Sequence, residues 1–274
     1  MKTRSAVFSA CTALVALTLS FSARAEEDAE ADTHPLGFNA RADGIYGTVS
    51  GNAIAKADLY AGMSYDVSSR FTVRIDLGAG TLRLGYNGSM DDSLMVESKL
   101  WSYVGTSGAV GASYLLYDGE VVRVGVRGGW ETSLLHMKPE ITSLIVRTPQ
   151  GGFNITPYGK QNVDASMYWS RFTFGMQTRF LLGRMEPNLG LAFERVDATM
   201  ELHLNDDSRR ALARLGYDAS HVETRHMLTF WYVPVTGGLD FRVAERTSLG
   251  AAGSIAPALD SWLYGATLNF RHAF

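Results

Sequence analysis

From residue 261 to the end of the chain the side chains alternate without a break. Trp262, Tyr264, Ala266, Leu268, Phe270, His272 and Phe274 share one parity, and Ser261, Gly265, Thr267, Asn269 and Arg271 share the other. Successive side chains of a β-strand point to opposite faces, so this segment has one face in an apolar medium and the other in a small polar space. The same grammar recurs upstream. Leu59, Ala61, Met63, Tyr65 and Val67 alternate with residues that include Asp58, Ser64 and Asp66, while Phe71, Val73, Ile75 and Leu77 oppose Thr72, Arg74, Asp76 and Gly78. Val122, Val124, Val126 and Trp130 alternate with Arg123, Gly125, Arg127 and Glu131. Tyr168, Phe172, Phe174, Met176 and Phe180 alternate with Trp169, Arg171, Gln177 and Arg179, and Val233, Val235, Leu239 and Phe241 with Thr236, Gly238, Asp240 and Arg242. Several of these runs far exceed the roughly 5 to 6 residues of a soluble sandwich strand, which favours the tilted staves of a barrel. In two places the phase changes: Leu82, Leu84 and Tyr86 follow Leu77 on the opposite parity, and the run beginning at Leu189, Leu191 and Phe193 flips near Glu194. A β-bulge at Gly78 and Gly80 is the expected cause of the first.

The opposite end of the chain agrees with a membrane destination. Lys2 and Arg4 precede an apolar run from Ala13 to Phe21, and Ala23-Arg24-Ala25 has the small-x-small form of a secretory cleavage site, so residues 1–25 are expected to be a signal peptide. The run is shorter than the roughly 20 residues a membrane helix needs. Cys11, the one cysteine, falls inside this segment, which leaves neither disulfide nor thiol chemistry to the remainder. Loss of Lys2, Arg4 and Arg24 takes the formal charge from −3 to −6, too mild to imply a nucleic-acid partner. Mean hydropathy near zero does not argue for a soluble protein, because lipid-facing and lumen-facing residues cancel in a barrel wall. The terminal alternation with Phe270 and Phe274 resembles the C-terminal strand of Gram-negative outer-membrane β-barrels, where such aromatics form the insertion signal. That resemblance implies location in the outer membrane, with outer-membrane lipid, lipopolysaccharide and the barrel-insertion machinery as partners.

The expected architecture is all-β, a transmembrane antiparallel barrel of about ten strands, with eight or twelve as alternatives. Residues 26–42 read as a short acidic flexible lead and 43–274 as the barrel domain. Tight turns at Ser68-Ser69, Tyr117 to Glu120, Gly183-Arg184 and Glu245-Arg246 contrast with long polar stretches around 88–97, 139–163 and 205–222, matching the short periplasmic turns and long outer loops of such barrels. Within the last stretch, Asp206 to Gly216 begins with helix-capping residues and ends on glycine, the pattern of a two-turn helix whose arginines can meet lipopolysaccharide phosphates.

The lumen parity carries Arg74, Arg123, Arg127, Arg171, Arg179, Arg242 and Arg271 against Asp58, Asp66, Asp76, Glu131, Glu194 and Asp240. Buried charges require partners, so the leading expectation is a salt-bridged polar interior, in which Arg127 and Arg171 share Glu131. A narrow channel with an arginine-lined lumen is the first alternative. The second rests on a resemblance: the ten-strand architecture with these loop positions is similar to the omptin family of surface endopeptidases, which use an aspartate pair on an early loop and an Asp-His pair on a later one. Asp91, Asp92, His203 and Asp206, next to Asp207, are the matching candidates. The early pair is adjacent rather than spaced by one residue, and Glu201-Leu202-His203 stands where Asp-x-His is expected. No phosphate loop, metal cluster or nucleophile elbow occurs, and neither cofactor nor metal is expected. His226 is expected to be a hydrogen-bonded lumen residue. The favoured reading is a non-enzymatic barrel whose external loops meet surface components or a host ligand.

Overall fold

The computed structural model describes residues 36–49, 52–91, 94–137, 143–148, 151–154, 163–214, 225–258 and 261–274. Strands β1 (Leu36–Val49), β2 (Asn52–Asp66), β3 (Phe71–Asp91), β4 (Leu94–Asp118) and β5 (Val122–Met137) are followed by a short outer hairpin, β6 (Ser143–Thr148) and β7 (Gly151–Asn154). The wall resumes with β8 (Val163–Phe180) and β9 (Met185–Leu204), then helix α1 (Asp206–Arg214), β10 (Arg225–Tyr232), β11 (Val235–Ala244), β12 (Thr247–Ala258) and β13 (Ser261–Ala273). Every wall pairing is antiparallel, and β1 pairs with both β2 and β13, which closes the ring. β10 and β11 form one stave: Tyr232 faces Glu194 and Val235 faces Leu191, so the register runs through the interruption. Pro234 at that interruption has no N–H to give to the ladder. With the outer hairpin set aside, the wall has ten staves.

The wall begins earlier than expected. Leu36 to Ala42, read in the sequence as part of the lead, form the first half of β1, where Gly37 to Ala42 pair with β13. The 88–97 stretch is not a long loop either, because β3 and β4 stay paired up to Asp91 and Leu94. Part of the 139–163 stretch returns as β6, which pairs with the outer end of β4. Helix α1 occupies the expected place, with Asp206 and Asp207 in its first turn and Arg214 in its last, charges that complement the helix dipole. Residues 1–35, and with them the expected signal peptide and most of the lead, lie outside the described residues.

The phase changes are not bulges. β2 and β3 pair without interruption from Asp66–Thr72 to Ile54–Leu84, straight through Gly78 and Gly80. What changes is the medium on each side. Leu77 points outward and is 72% exposed, while Leu82, on the opposite parity, points inward and is fully buried. In the lower wall the outward residues are apolar, as with Leu59, Phe174, Leu191 and Leu268, and the inward ones include Asp58, Asp76 and Glu131. Higher up, the same outward parity carries Arg83, Arg195, Asp197, Glu201 and Arg225, and the inward parity carries Ile54, Leu135 and Val196. The lower part is thus built for hydrocarbon outside and polar groups inside, and the upper part for water outside and an apolar interior. The flip near Glu194 has the same origin: Phe193 faces lipid, Glu194 the lumen, and Val196 the apolar interior on Glu194's own parity.

An arginine on the lipid-facing parity should be costly only inside the apolar belt. Leu77→Arg is expected to lower folding free energy by about 2–4 kcal/mol and Thr81→Arg, near the upper boundary, by about 1 kcal/mol or less, as read by urea titration in lipid vesicles.

Candidate functional site

The lumen is built in three levels. The uppermost is an apolar plug assembled from most of the staves. Val49, Ile54, Leu82, Tyr103, Leu135 and Val196 are essentially fully buried within it. Trp169 packs edge-on against Phe230 at 6.3 Å between ring centroids, and Phe230 stacks on Tyr232 at 5.9 Å. The hydroxyl of Tyr103 is satisfied by Met200 Sδ at 3.3 Å. Each large side chain buried here contributes about 1.5–3 kcal/mol relative to exposure.

Beneath the plug lies a layer of ion pairs. Glu131 on β5 sits between two guanidiniums: Arg171 donates from Nε at 2.9 Å and from Nη2 at 2.5 Å, and Arg41 donates from Nη2 at 2.8 Å. Arg41 also meets Asp43 at 3.1 Å and Asp76 at 3.7 Å, and stacks over the Tyr60 ring at 4.6 Å. Arg74 holds Asp76 at 3.0 Å through Nε. Arg171 reaches Glu194 at 3.6 Å, and Glu194 accepts the Tyr232 hydroxyl at 2.5 Å. Lys56 pairs with Asp58, which accepts from Ser107 at 2.8 Å, and Lys56 Nζ lies 5.8 Å from the Trp169 ring centroid. That last contact joins the charged layer to the plug above it. Room for this packing comes from small residues: a Cβ on Gly80 would collide with both Asp58 and Ser107.

The lowest level is a vestibule of 790 Å³ that opens toward the tight turns. Its rim carries Arg123 on Asp118 at 2.6 Å, Arg242 on Glu186 at 2.8 Å and Arg271 on Asp66 at 3.3 Å. Asp240 accepts from Asn188 at 3.2 Å. Arg127 and Arg179 also line it.

The structure therefore brings together Arg74, Asp76, Glu131, Arg171 and Glu194 in the middle layer, and distributes Arg123, Arg127, Arg179, Asp240, Arg242 and Arg271 around the vestibule. The partner that shares Glu131 with Arg171 is Arg41, not Arg127, because Arg41 on β1 reaches across the lumen while Arg127 sits lower on Glu131's own strand. Sequence reading missed Arg41, Asp43 and Lys56. The signal for the first two was present in the alternation of Phe38, Ala40 and Ala42 with Asn39, Arg41 and Asp43, and Lys56 shares the inward parity of Asp58. The omptin-like candidates do not converge among the described residues. His203 and Asp206 are both exposed and make no hydrogen bond with each other; Asp91 closes β3 opposite Leu94 with its side chain outside the described residues, as Asp92 is altogether. The side chain of His226 is likewise outside them. Among the described residues no cluster of His, Cys, Asp or Glu has the form of a metal site. Phe270 packs against Phe38 at 6.3 Å, and Phe274 is half exposed, with its N–H donating to Leu36 across the seam at 3.0 Å.

The wall is a closed ten-stave antiparallel ring, apolar outside and charged within. The fold is that of a Gram-negative outer-membrane β-barrel. The chain superposes on the outer membrane protease OmpT from Escherichia coli with a TM-score of 0.51 and 8% identity, covering 87% of this chain and 95% of that one. It also resembles the translocator domain of the autotransporter NalP from Neisseria meningitidis (TM-score 0.48, 10% identity, 97% and 98% covered). A third resemblance is to the attachment invasion locus protein Ail of Yersinia pestis (0.41, 9%, 87% and 97%). No family model and no curated protein matches the sequence. At these identities the likeness is one of fold.

Glu131→Ala should leave Arg41 and Arg171 without their shared carboxylate and cost about 3–5 kcal/mol, the order seen on breaking a buried pair. The compact gel form of the barrel is then expected to unfold at markedly lower temperature, with Glu131→Gln, which retains an acceptor, falling between.

Proposed function

We propose that this protein is a non-enzymatic barrel of the Gram-negative outer membrane that acts through the part of its wall and loops standing above the bilayer, meeting surface components or a host ligand and supporting envelope integrity. The observation that carries this reading is the apolar plug. A conducting pore needs a continuous wet path, whereas here the outer half of the lumen is filled by Leu82, Tyr103, Leu135, Trp169, Val196 and Phe230 above a layer of mutually bonded charges. With the interior closed, the chemistry available to the cell exterior lies on the upper outward face. That face is polar and charged: Arg195 pairs with Asp197 at 3.1 Å, Thr229 donates to Asp197 at 2.8 Å, and Arg225 approaches Glu201 at 3.8 Å. Arg83 is exposed just above the apolar belt and has no ion-pair partner among the described residues. Its height suits the phosphates of lipopolysaccharide, which guanidinium groups bind in a bidentate manner.

Planar-bilayer recording of the refolded protein tests the closure, with silence expected and steady ion-selective steps overturning the reading. The surface role has its own measurement. Lipopolysaccharide is expected to raise the unfolding temperature of the barrel above that in neutral lipid, and Arg83→Gln combined with Arg195→Gln should remove most of that increment. An increment unchanged in this variant would exclude these arginines as the lipopolysaccharide contact.

A further inference from the structure

The vestibule below the ion-pair layer holds more positive charge than its own carboxylates neutralise. Ten arginines line it against six carboxylates, and Asp66, Asp76 and Asp118, which pair with three of those arginines from beside the cavity, bring the acids to nine. The excess is concentrated on neighbouring staves. Arg123 on β5 and Arg179 on β8 are direct cross-strand partners, an arrangement that is unfavourable for like charges unless an anion lies between them. One inward row higher but one, Arg127 projects from β5. On β4, between Arg74 and Arg127, the inward positions are Gly111 and Ser113, paired with Arg74 and Arg127 respectively, so no bulky side chain separates the two guanidiniums. Arg127 is within electrostatic range of Arg74, Arg171 and Arg179.

The carboxylates do not balance this group. Arg74 is held by Asp76, and Arg123 by Asp118. Glu194, the acidic group nearest in influence to Arg127, is already engaged by Arg171 and Tyr232. Neither Arg127 nor Arg179 has a carboxylate within ion-pair distance among the described residues, and Arg179 makes only a 3.5 Å contact with Gln177 Oε1. The Nε–H of Arg127 is shielded from solvent and has no acceptor among the described residues. A buried charged donor without an acceptor is costly, and an oxyanion accepting from it removes that cost. The opposite wall leaves space: the inward residues Ala252, Ser254, Gly265 and Thr267 are small.

We propose that the vestibule is a binding site for a small phosphoryl-bearing anion that enters from the turn end of the barrel, held by Arg127 and Arg179 with Arg74 and Arg123 flanking them. A tetrahedral dianion presents acceptors in several directions and carries two charges, so it can meet guanidiniums from β3, β5 and β8 together. Since the plug closes the outer end, this is a one-mouthed pocket rather than a permeation path, and it stands apart from the surface role proposed above.

Titration of the full refolded protein in detergent with inorganic phosphate, followed by calorimetry and by ³¹P line broadening, tests this. Saturable one-to-one binding is expected, weakened at least tenfold in Arg127→Gln and in Arg179→Gln, and unchanged in Leu191→Ala on the lipid-facing wall. Arg179 is exposed at the rim, so its replacement keeps the test valid if the Arg127 variant does not fold. Absence of saturable binding, or binding indifferent to both replacements, overturns the proposal. Succinate binding more tightly than phosphate overturns the assigned chemical class.

Discussion

The alternation of faces along each strand is the constraint on which everything else in this molecule depends. A regular strand assigns each side chain to a face by its position and cannot change that assignment midway, yet these strands pass from hydrocarbon into water. The chain meets the demand by exchanging residue type rather than direction: β3 carries Leu77 outward in the belt and Arg83 outward above it, with Asp76 inward below and Leu82 inward above. The long staves β3 and β9 are thus half membrane protein and half soluble barrel. The ion-pair layer falls at the boundary between the two halves. There Lys56 pairs with Asp58 and also lies over Trp169, linking the wet interior to the dry one.

Closure follows from this arrangement. In the belt, polar side chains must fill a dry-walled lumen, and they do so by bonding one another across it: Arg41 from β1 and Arg171 from β8 converge on Glu131 from β5. Above the belt the interior is free to be apolar, and aromatic and branched side chains occupy it. Below the pairs the inward residues shrink to glycine, alanine, serine and threonine on one wall while arginines dominate the other, so the interior opens there. The result is a lumen with opposite characters at its two ends.

Most of the wall was legible from periodicity because lipid and lumen impose opposite demands on adjacent residues. The ten staves and the four tight turns follow from it, with boundaries close to those observed except at the start of β1 and the outer ends of β3 and β4, while the helix after Leu204 was signalled by its capping residues. The failures have separate causes. Where both solvents change, as after Leu77 and Phe193, the apolar parity inverts, and the inversion imitates a bulge. Arg41 was hidden in an assumed lead, because the outward residues beside it, Ala40 and Ala42, are too small to announce a lipid-facing stripe. The identity of Glu131's second partner was not legible at all, since which side chains meet across a lumen depends on stave tilt and height, quantities that alternation does not encode.

The seam carries a consequence for how the molecule comes into being. Gly37 on β1 pairs with Ala273 on β13, and Arg271 reaches Asp66 across the same region, so contacts that complete the ring join residues from opposite ends of the chain. Such pairings are of very high contact order and are reached late. Until they form, Arg41 cannot be carried to Glu131, and the lumen charges remain hydrated. Neighbouring pairs such as Arg74 with Asp76 and Arg171 with Glu131 can form in an open sheet, so ring closure adds the contacts that span the lumen, Arg41 on Glu131 and Arg171 on Asp43.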